Sequence, residues 1–230
     1  MKTIYVVDDE RNIRELIRSY LEKEGYRVEV FSQADAAEKA FQMLEPDALI
    51  LDIMMPGQMD GLDLCKRIRK QSDVPILFVS AKDEAIDRII GLELGADDYL
   101  SKPFSPRELV VRLKIIFKRI DNAGAVKSGV LKNRDLTMDE AKREVSVNGK
   151  NLHVTNNEYM LLHFFMENLN ISFSRETLIE RIWHYDHLGD TRMIDDLVKR
   201  IRKKLKAAAS KAEIVTVWGF GYRMDGEHEN

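Results

Sequence analysis

One cysteine, Cys65, is the whole thiol content of 230 residues. That excludes an internal disulfide and suits a reducing compartment. No apolar run approaches the roughly 20 residues needed to cross a bilayer. A strand-like pattern already under way at Thr3 leaves no room for a signal peptide, so the expected location is the cytoplasm, with no membrane partner. Repeats and low-complexity tracts are lacking too. Net charge is small, −3, and says little about partners until it is divided along the chain.

What is present is ample for folding. With 44% hydrophobic and 33% charged residues, the chain can build cores and stay in solution, and its length suits two domains. Residues 1–120 carry 19 basic and 22 acidic side chains, and the remainder carries 17 of each. Within that neutral second half, residues 192–206 concentrate seven basic side chains against two acidic ones, the pattern of one strongly basic helix.

Short apolar runs at 4–7, 28–31, 48–52, 76–80 and 98–100 alternate with amphipathic helical patterns. The first helix follows Ile13, Leu16, Ile17 and Leu21, the second passes through Ala37, Ala40 and Phe41, and others fall at 62–68 and 86–94. Ser105-Pro106-Arg107-Glu108 opens the last one with capping-box residues and a first-turn proline. Five βα units imply an α/β domain over 1–120, a five-stranded parallel sheet covered on both faces in the doubly wound, flavodoxin-like manner.

Periodicity stops between Ile120 and Gly129, and 121–129 reads as a linker. Beyond it the pattern changes. Asn148-Gly149 signals a hairpin, Thr155-Asn156-Asn157-Glu158 opens a helix bearing Tyr159, Leu162, Phe165 and Met166, and Ser174 caps the next helix at 178–183. The basic helix follows, then two short strands around Trp218-Gly219-Phe220-Gly221. Short strands, three helices and a terminal hairpin describe a winged helix-turn-helix over 130–226.

Asp8-Asp9, Asp52, Ser80 and Lys102 each stand at the carboxyl end of an apolar run, so a parallel sheet gathers them in one crevice. Singly, each is an ordinary solvated loop residue. Together they make a phosphoryl site. Asp52 is the expected nucleophile toward phosphorus, Asp8 and Asp9 would hold a divalent cation, with Mg²⁺ fitting best, Ser80 would donate to a phosphoryl oxygen, and Lys102 would pair with its charge.

Residues 1–120 resemble the receiver domain of bacterial response regulators. The likeness is carried by Val7-Asp8-Asp9-Glu10, Leu51-Asp52-Ile53-Met54-Met55-Pro56-Gly57, Val79-Ser80-Ala81, Gly95-Ala96-Asp97-Asp98-Tyr99 and Lys102-Pro103-Phe104. The resemblance implies that Asp52 accepts its phosphoryl group from a sensor histidine kinase, that the Met54 carbonyl adds a metal ligand, and that Lys102-Pro103 is cis. It also makes Tyr99 a switch aromatic coupled to Ser80. One departure is an extra residue in Pro56-Gly57-Gln58-Met59-Asp60-Gly61, which is expected to alter the dephosphorylation rate.

On the pattern at 86–94, Arg88 and Glu93 flank Ile89 and Leu92, while Glu108, Arg112 and Lys114 lie on the next helix, with Asp97 and Asp98 on the strand between. Spacing alone makes these ordinary surface charges. Resemblance to the OmpR/PhoB subgroup instead implies a face on which phosphorylated receivers form a homodimer.

At 100° per residue, Ile194, Leu197, Val198, Ile201 and Leu205 share one helix face, and Arg192, Asp196, Lys199, Arg200 and Lys203 the opposite one, with Arg202 and Lys204 on the flanks. Alone, such a stripe is equally a solvated face. Residues 130–226 resemble the OmpR/PhoB-type effector domain through Leu152-His153-Val154-Thr155-Asn156-Asn157-Glu158, Ser174-Arg175-Glu176-Thr177-Leu178, Ile194-Asp195, Arg200-Ile201-Arg202-Lys203-Lys204-Leu205 and Gly219-Phe220-Gly221-Tyr222-Arg223. That likeness makes 192–205 a recognition helix for promoter DNA, 214–223 the wing, and 184–190 a loop that meets RNA polymerase. Asp196 and Trp218 depart from the commoner pattern, Trp218 standing where many relatives place a wing arginine. His184-x-x-His187 reads as loop, and Cys65 as packing.

The expected protein is a DNA-binding response regulator. The rival reading is a carboxylate-nucleophile phosphohydrolase, which would carry an acid where this chain has Met54; a regulator that dimerises without phosphate is the other.

Overall fold

The computed structural model describes residues 1–81, 94–123, 129–183 and 192–226. The helix expected at 86–94, with Arg88, Ile89, Leu92 and Glu93, and the loop at 184–190 lie outside the described residues. Tertiary contacts divide the chain into two units, Met1–Lys118 and Arg119–Asn230.

The first unit is built on strands β1 (Thr3–Val7), β2 (Arg27–Phe31), β3 (Ala48–Asp52), β4 (Ile76–Ser80) and β5 (Asp98–Ser101). All neighbours run parallel, in the order β2-β1-β3-β4-β5. The central strands β3 and β4 are buried along their whole length, as unbroken Val/Ile/Leu runs require when both faces are covered. Helices α1 (Arg11–Lys23), α2 (Ala34–Met43) and α3 (Gly61–Ile68) bury apolar stripes that include Ile17, Leu21, Ala37, Phe41, Leu64 and Ile68. In this order the chain reverses direction across the sheet between β1 and β3, so a crevice opens at their carboxyl ends.

Helix α4 (Pro106–Ala123) begins at the expected proline. It runs through residues 121–123, where the sequence reading placed a linker. The pattern Leu109, Val110, Leu113, Ile116 and Phe117 supplies its buried stripe, and residues 121–123 add no breaker to stop it.

In the second unit an antiparallel sheet joins β6 (Val130–Asn133), β7 (Leu136–Asp139), β8 (Glu144–Val147) and β9 (Lys150–Asn151) in chain order. Helices α5 (Asn156–Glu167), α6 (Arg175–Trp183) and α7 (Arg192–Ala207) follow. A second sheet, order β10-β12-β11, pairs the terminal hairpin β11 (Ile214–Val217) and β12 (Gly221–Met224) with β10 (Phe173–Ser174). Ser174 ends β10 and also caps α6, its hydroxyl accepting the Thr177 amide at 3.2 Å. Sequence reasoning saw the cap and missed the strand.

Candidate functional site

The crevice at the ends of β1, β3, β4 and β5 contains the expected group. Asp8, Asp52 and Ser80 are buried, and Asp9 is exposed at the rim. Lys102, just beyond β5, places Nζ 2.7 Å from Asp52 Oδ2 and 2.8 Å from Asp8 Oδ2. Glu10, which sequence reasoning left out, joins them at 3.3 Å from the same ammonium. Backbone amides fix the other carboxylate oxygens: Glu10 N–H donates to Asp8 Oδ1 at 2.8 Å, and Met54 N–H to Asp52 Oδ1 at 3.0 Å. The Lys102-Pro103 peptide is cis.

Burial pushes the Asp8 carboxyl above its usual range, against the opposing pull of Lys102. For Lys102, burial works against the ammonium, and the hydrogen bonds to Asp52 and Asp8 outweigh it, so its pKa is raised. Carboxylate oxygens of Asp8, Asp9 and Asp52 lie within 4.8 Å of one another. Three of the crevice's four carboxylates, those of Asp8, Glu10 and Asp52, thus share one ammonium, and Asp9 adds a fourth negative charge beside them, a surplus that a divalent cation would offset. The donor set, all hard oxygens, fits Mg²⁺.

The loop after Asp52 returns tightly to it. Gly61 N–H donates to Ile53 O at 3.1 Å, and a Cβ on Gly61 would stand 1.9 Å from the Asp52 carbonyl oxygen. Only glycine fits there. Asp60 caps α3 by accepting the Asp63 amide at 2.8 Å, and Met59 is buried. The longer loop is therefore a packed element anchored at both ends, with Met54 exposed beside the site.

Tyr99 is buried within β5. Of the expected dimer face, Asp97 requires correction: it is fully buried. Its Oδ2 accepts the Ile76 amide at 2.9 Å and pairs with the guanidinium of Arg69 at 3.2 Å, while Arg69 also donates to Gly95 O and Val74 O. Asp97 belongs to the core of its own subunit. Asp98 and Arg112 form an ion pair at 3.1 Å, Arg112 also holds Glu108 at 2.7 Å, and Lys114 pairs with Glu24 at 2.5 Å.

In the second unit, α7 buries Met193, Ile194, Leu197, Val198, Ile201 and Leu205. Its cations are not all alike. Glu158, the buried third residue of α5, accepts the Thr155 amide at 2.8 Å and pairs with Lys204 at 2.6 Å and Arg200 at 3.4 Å. Arg202 donates through Nε and Nη2 to Ile214 O at 2.9 and 2.6 Å, and to Thr216 Oγ1 at 2.8 Å. Arg200 and Arg202, expected to face DNA, are thus engaged inside the domain, because both side chains are long enough to reach neighbouring elements. Lys199 and Lys203 are exposed, and Asp196 is half-buried. The Arg192 side chain lies outside the described residues.

A second network locks helix to hairpin. Asp195 Oδ1 accepts from Arg175 Nε and from the Tyr222 hydroxyl, each at 2.7 Å, and both Arg175 and Arg202 lie over the Tyr222 ring. At the hairpin tip, Phe220 N–H donates to Val217 O at 3.0 Å around Gly219, whose φ is +73°. That turn leaves Trp218 92% and Phe220 47% exposed.

Glu140, His163 and Glu167 form another cluster of possible ligands. There the two ring nitrogens face different carboxylates, Nε2 to Glu140 at 2.7 Å and Nδ1 to Glu167 at 3.4 Å. A single ion takes one imidazole nitrogen, so this is a hydrogen-bonded bridge rather than a metal cradle.

Comparison with known proteins agrees with both halves. Residues 4–114 match the response regulator receiver domain family, and residues 149–224 the family described as transcriptional regulatory protein, C terminal. The sensory transduction protein RegX3 of Mycobacterium tuberculosis strain H37Rv is 39% identical over 228 residues, covering 98% of this chain and 100% of that protein. The transcriptional regulatory protein ResD of Bacillus subtilis is 39% identical over 229 residues, covering 96% and 95%. A solved structure of a RitR mutant superimposes with a TM-score of 0.78 at 25% identity, covering 99% of this chain and 100% of that one. Such proteins are phosphoacceptor transcription regulators rather than turnover enzymes. This chain belongs to the two-component response regulators, with a receiver domain followed by an OmpR/PhoB-type DNA-binding domain.

Proposed function

We propose that Asp52 is the phosphoacceptor of a receiver spanning residues 1–120, and that its phosphorylation by a sensor histidine kinase controls promoter binding by residues 130–226. The observation that carries this reading is Lys102 bridging Asp52 and Asp8 within a crevice holding two further carboxylates. Asp8, Asp9 and Asp52, with the Met54 carbonyl, would hold Mg²⁺. When bound, that ion screens the repulsion between an anionic phosphoryl donor and the carboxylate.

The chain's own groups do the rest. With Oδ1 held by the Met54 amide, Asp52 is oriented for attack on phosphorus. The new O–P bond forms as the donor's N–P bond breaks, and the departing imidazole keeps the bonding pair and takes up a proton. Lys102 supplies positive charge to the transferred group, and Ser80, at the end of the adjacent strand, donates to one of its oxygens. Tyr99 and Ser80 relay the change toward Asp98, Glu108, Arg112 and Lys114. The intrachain pairs Asp98–Arg112 and Arg112–Glu108 are then exchanged for pairs across a two-fold axis, giving a homodimer. Arg88, Ile89, Leu92 and Glu93 would complete that face.

A dimer presents two winged helices to paired half-sites, so affinity rises by linkage rather than by new base contacts. Lys199 and Lys203, with Arg192, are the DNA-facing cations of this reading, and Asp196 can accept from cytosine N4. Residues 184–190 would meet RNA polymerase, and the protein would act in the cytoplasm. One similar solved structure is described as belonging to a family of streptococcal redox sensors evolved from response regulators. Here the only thiol, Cys65, is buried, which favours phosphate over oxidation as the signal. The test is a DNA-binding isotherm on duplexes selected from a random pool, with and without beryllofluoride and Mg²⁺. Beryllofluoride should tighten binding by the wild type and leave Asp52→Asn unchanged; equal isotherms for the wild type would refute phosphate control.

A further inference from the structure

Trp218 is the most exposed large aromatic among the described residues, at 92%, and Phe220 stands beside it at 47%. Their position is a built one. The turn is closed by the Phe220 to Val217 hydrogen bond, Gly219 supplies the positive φ that the turn needs, and the strands on either side are paired in register from Ile214–Met224 to Val217–Gly221. Below the tip, Arg202 and the Tyr222–Asp195 pair fasten the hairpin to α7 through four hydrogen bonds, none longer than 2.9 Å, and Arg175 ties α6 to the same Asp195 oxygen at 2.7 Å. The aromatics are therefore carried by a rigid arm, tied to the helix that presents Lys199 and Lys203 to solvent.

An exposed tryptophan on a rigid arm has two physical uses: contact with an apolar protein surface, or stacking on a planar base. Continuity with the exposed lysines favours the second, because a polyanion drawn onto α7 passes the arm that is clamped to it. Trp218 carries no charge, so it adds nothing to phosphate neutralisation. Its contribution must come from its ring.

We propose that Trp218 is an aromatic wedge that stacks on a partly opened base step of double-stranded DNA in the minor groove, with Phe220 packed against the adjoining deoxyribose. This rests on the DNA-binding reading above and adds to it a mode of readout. Apolar side chains inserted at a step unstack it and kink the duplex. Flexible pyrimidine–purine steps are the easiest to open, so the wedge makes such a step under the wing a determinant of site choice, without any hydrogen bond to a base edge.

The experiment uses the full-length protein and duplexes selected by it from a randomised pool, with 2-aminopurine placed at successive positions under the wing. Wild-type protein should raise 2-aminopurine emission at one step and at no other. Trp218→Ala should weaken binding by roughly 5- to 150-fold, the range for losing one base–aromatic stack, with the same dependence on salt and no emission change. Trp218→Phe should retain most of both. Because the side chain is exposed, thermal unfolding of Trp218→Ala should match the wild type, which separates a binding defect from misfolding. Silent 2-aminopurine at every position, or unchanged affinity for Trp218→Ala, overturns the wedge. An affinity loss confined to tandem half-sites, with silent 2-aminopurine, would assign Trp218 to a neighbouring copy of the chain and equally overturn it. Failure of the wild type to bind any duplex would instead defeat the DNA-binding reading itself.

Discussion

Lys102 Nζ lies 2.7 Å from Asp52 Oδ2, although Asp52 ends β3 and Lys102 follows β5, two places away in the sheet. The ammonium occupies the ground between Asp52 and Asp8, compensating two buried carboxylates at once. Replacing it by methionine keeps the length and removes the charge. The Lys102→Met variant should be destabilised by about 1–3 kcal/mol in chelator, since two buried anions lose their shared partner. Added Mg²⁺ should restore part of that loss. Urea unfolding with EDTA and with Mg²⁺ measures both; equal stability of variant and wild type in EDTA would remove the argument.

Gly61 touches the backbone of the phosphoacceptor. A methyl group there would meet the Asp52 carbonyl oxygen at 1.9 Å, so either the loop or the strand end must shift. Gly61→Ala should cost roughly 1–3 kcal/mol, the range for overpacking, and slow phosphorylation by a small-molecule phosphodonor several-fold. DNA binding by the second unit in the absence of a phosphodonor should stay as it was.

Deleting Gln58 shortens the loop between the site and the Asp60 cap. Since that loop is packed through Met59 and anchored through Gly61, the deletion repositions Met54 beside Asp52. The phosphoryl half-life should change several-fold, followed by loss of label after the donor is removed. An unaltered half-life would detach the extra residue from the chemistry.

Lys203 and Arg202 are neighbours in sequence and differ in role. Lys203→Ala should lower the salt dependence of DNA binding by about one phosphate contact, a slope change near 0.9. Arg202→Ala should leave the slope alone and destabilise the domain by about 1–3 kcal/mol, the cost of leaving its carbonyl and hydroxyl partners unmet. The opposite assignment of slope and stability would overturn the division of the helix drawn above.

Arg112 links Asp98 and Glu108 within one chain. Arg112→Ala should weaken dimerisation in beryllofluoride while leaving phosphorylation of Asp52 intact. Sedimentation velocity reads the first and phosphoprotein assay the second; unchanged sedimentation would move the interface elsewhere.

How much of this was legible in the amino acids depended on the range of the interaction. Asp8, Asp52, Ser80 and Lys102 were readable because each ends an apolar run, and strand ends in a parallel sheet converge by topology. The buried face of α7 was readable because helical periodicity assigns Ile194, Leu197 and Val198 to one side. Periodicity names a face and not its occupant. It placed Arg200 on the outward stripe and Arg202 on its flank, while their guanidinium groups reach Glu158 and the Ile214 carbonyl, 42 and 12 residues away in sequence. Asp97 resembled a surface charge until Arg69, 28 positions earlier, was found against it. Strand β10, two residues long, exists only through its pairing with Gly221 and Tyr222, and no local pattern announces that.

The account depends most on Asp52 as a phosphoryl acceptor held against Lys102 in a magnesium-binding crevice. Peptide mass spectrometry of the full-length protein, after incubation with Mg²⁺ and a small-molecule phosphodonor, tests it most directly. One added phosphoryl group should be found on the peptide containing Asp52, lost when Asp52 is replaced by asparagine and absent when Mg²⁺ is chelated. A phosphoryl group on another residue, or none on the wild type under conditions that label a receiver from a relative, would contradict it.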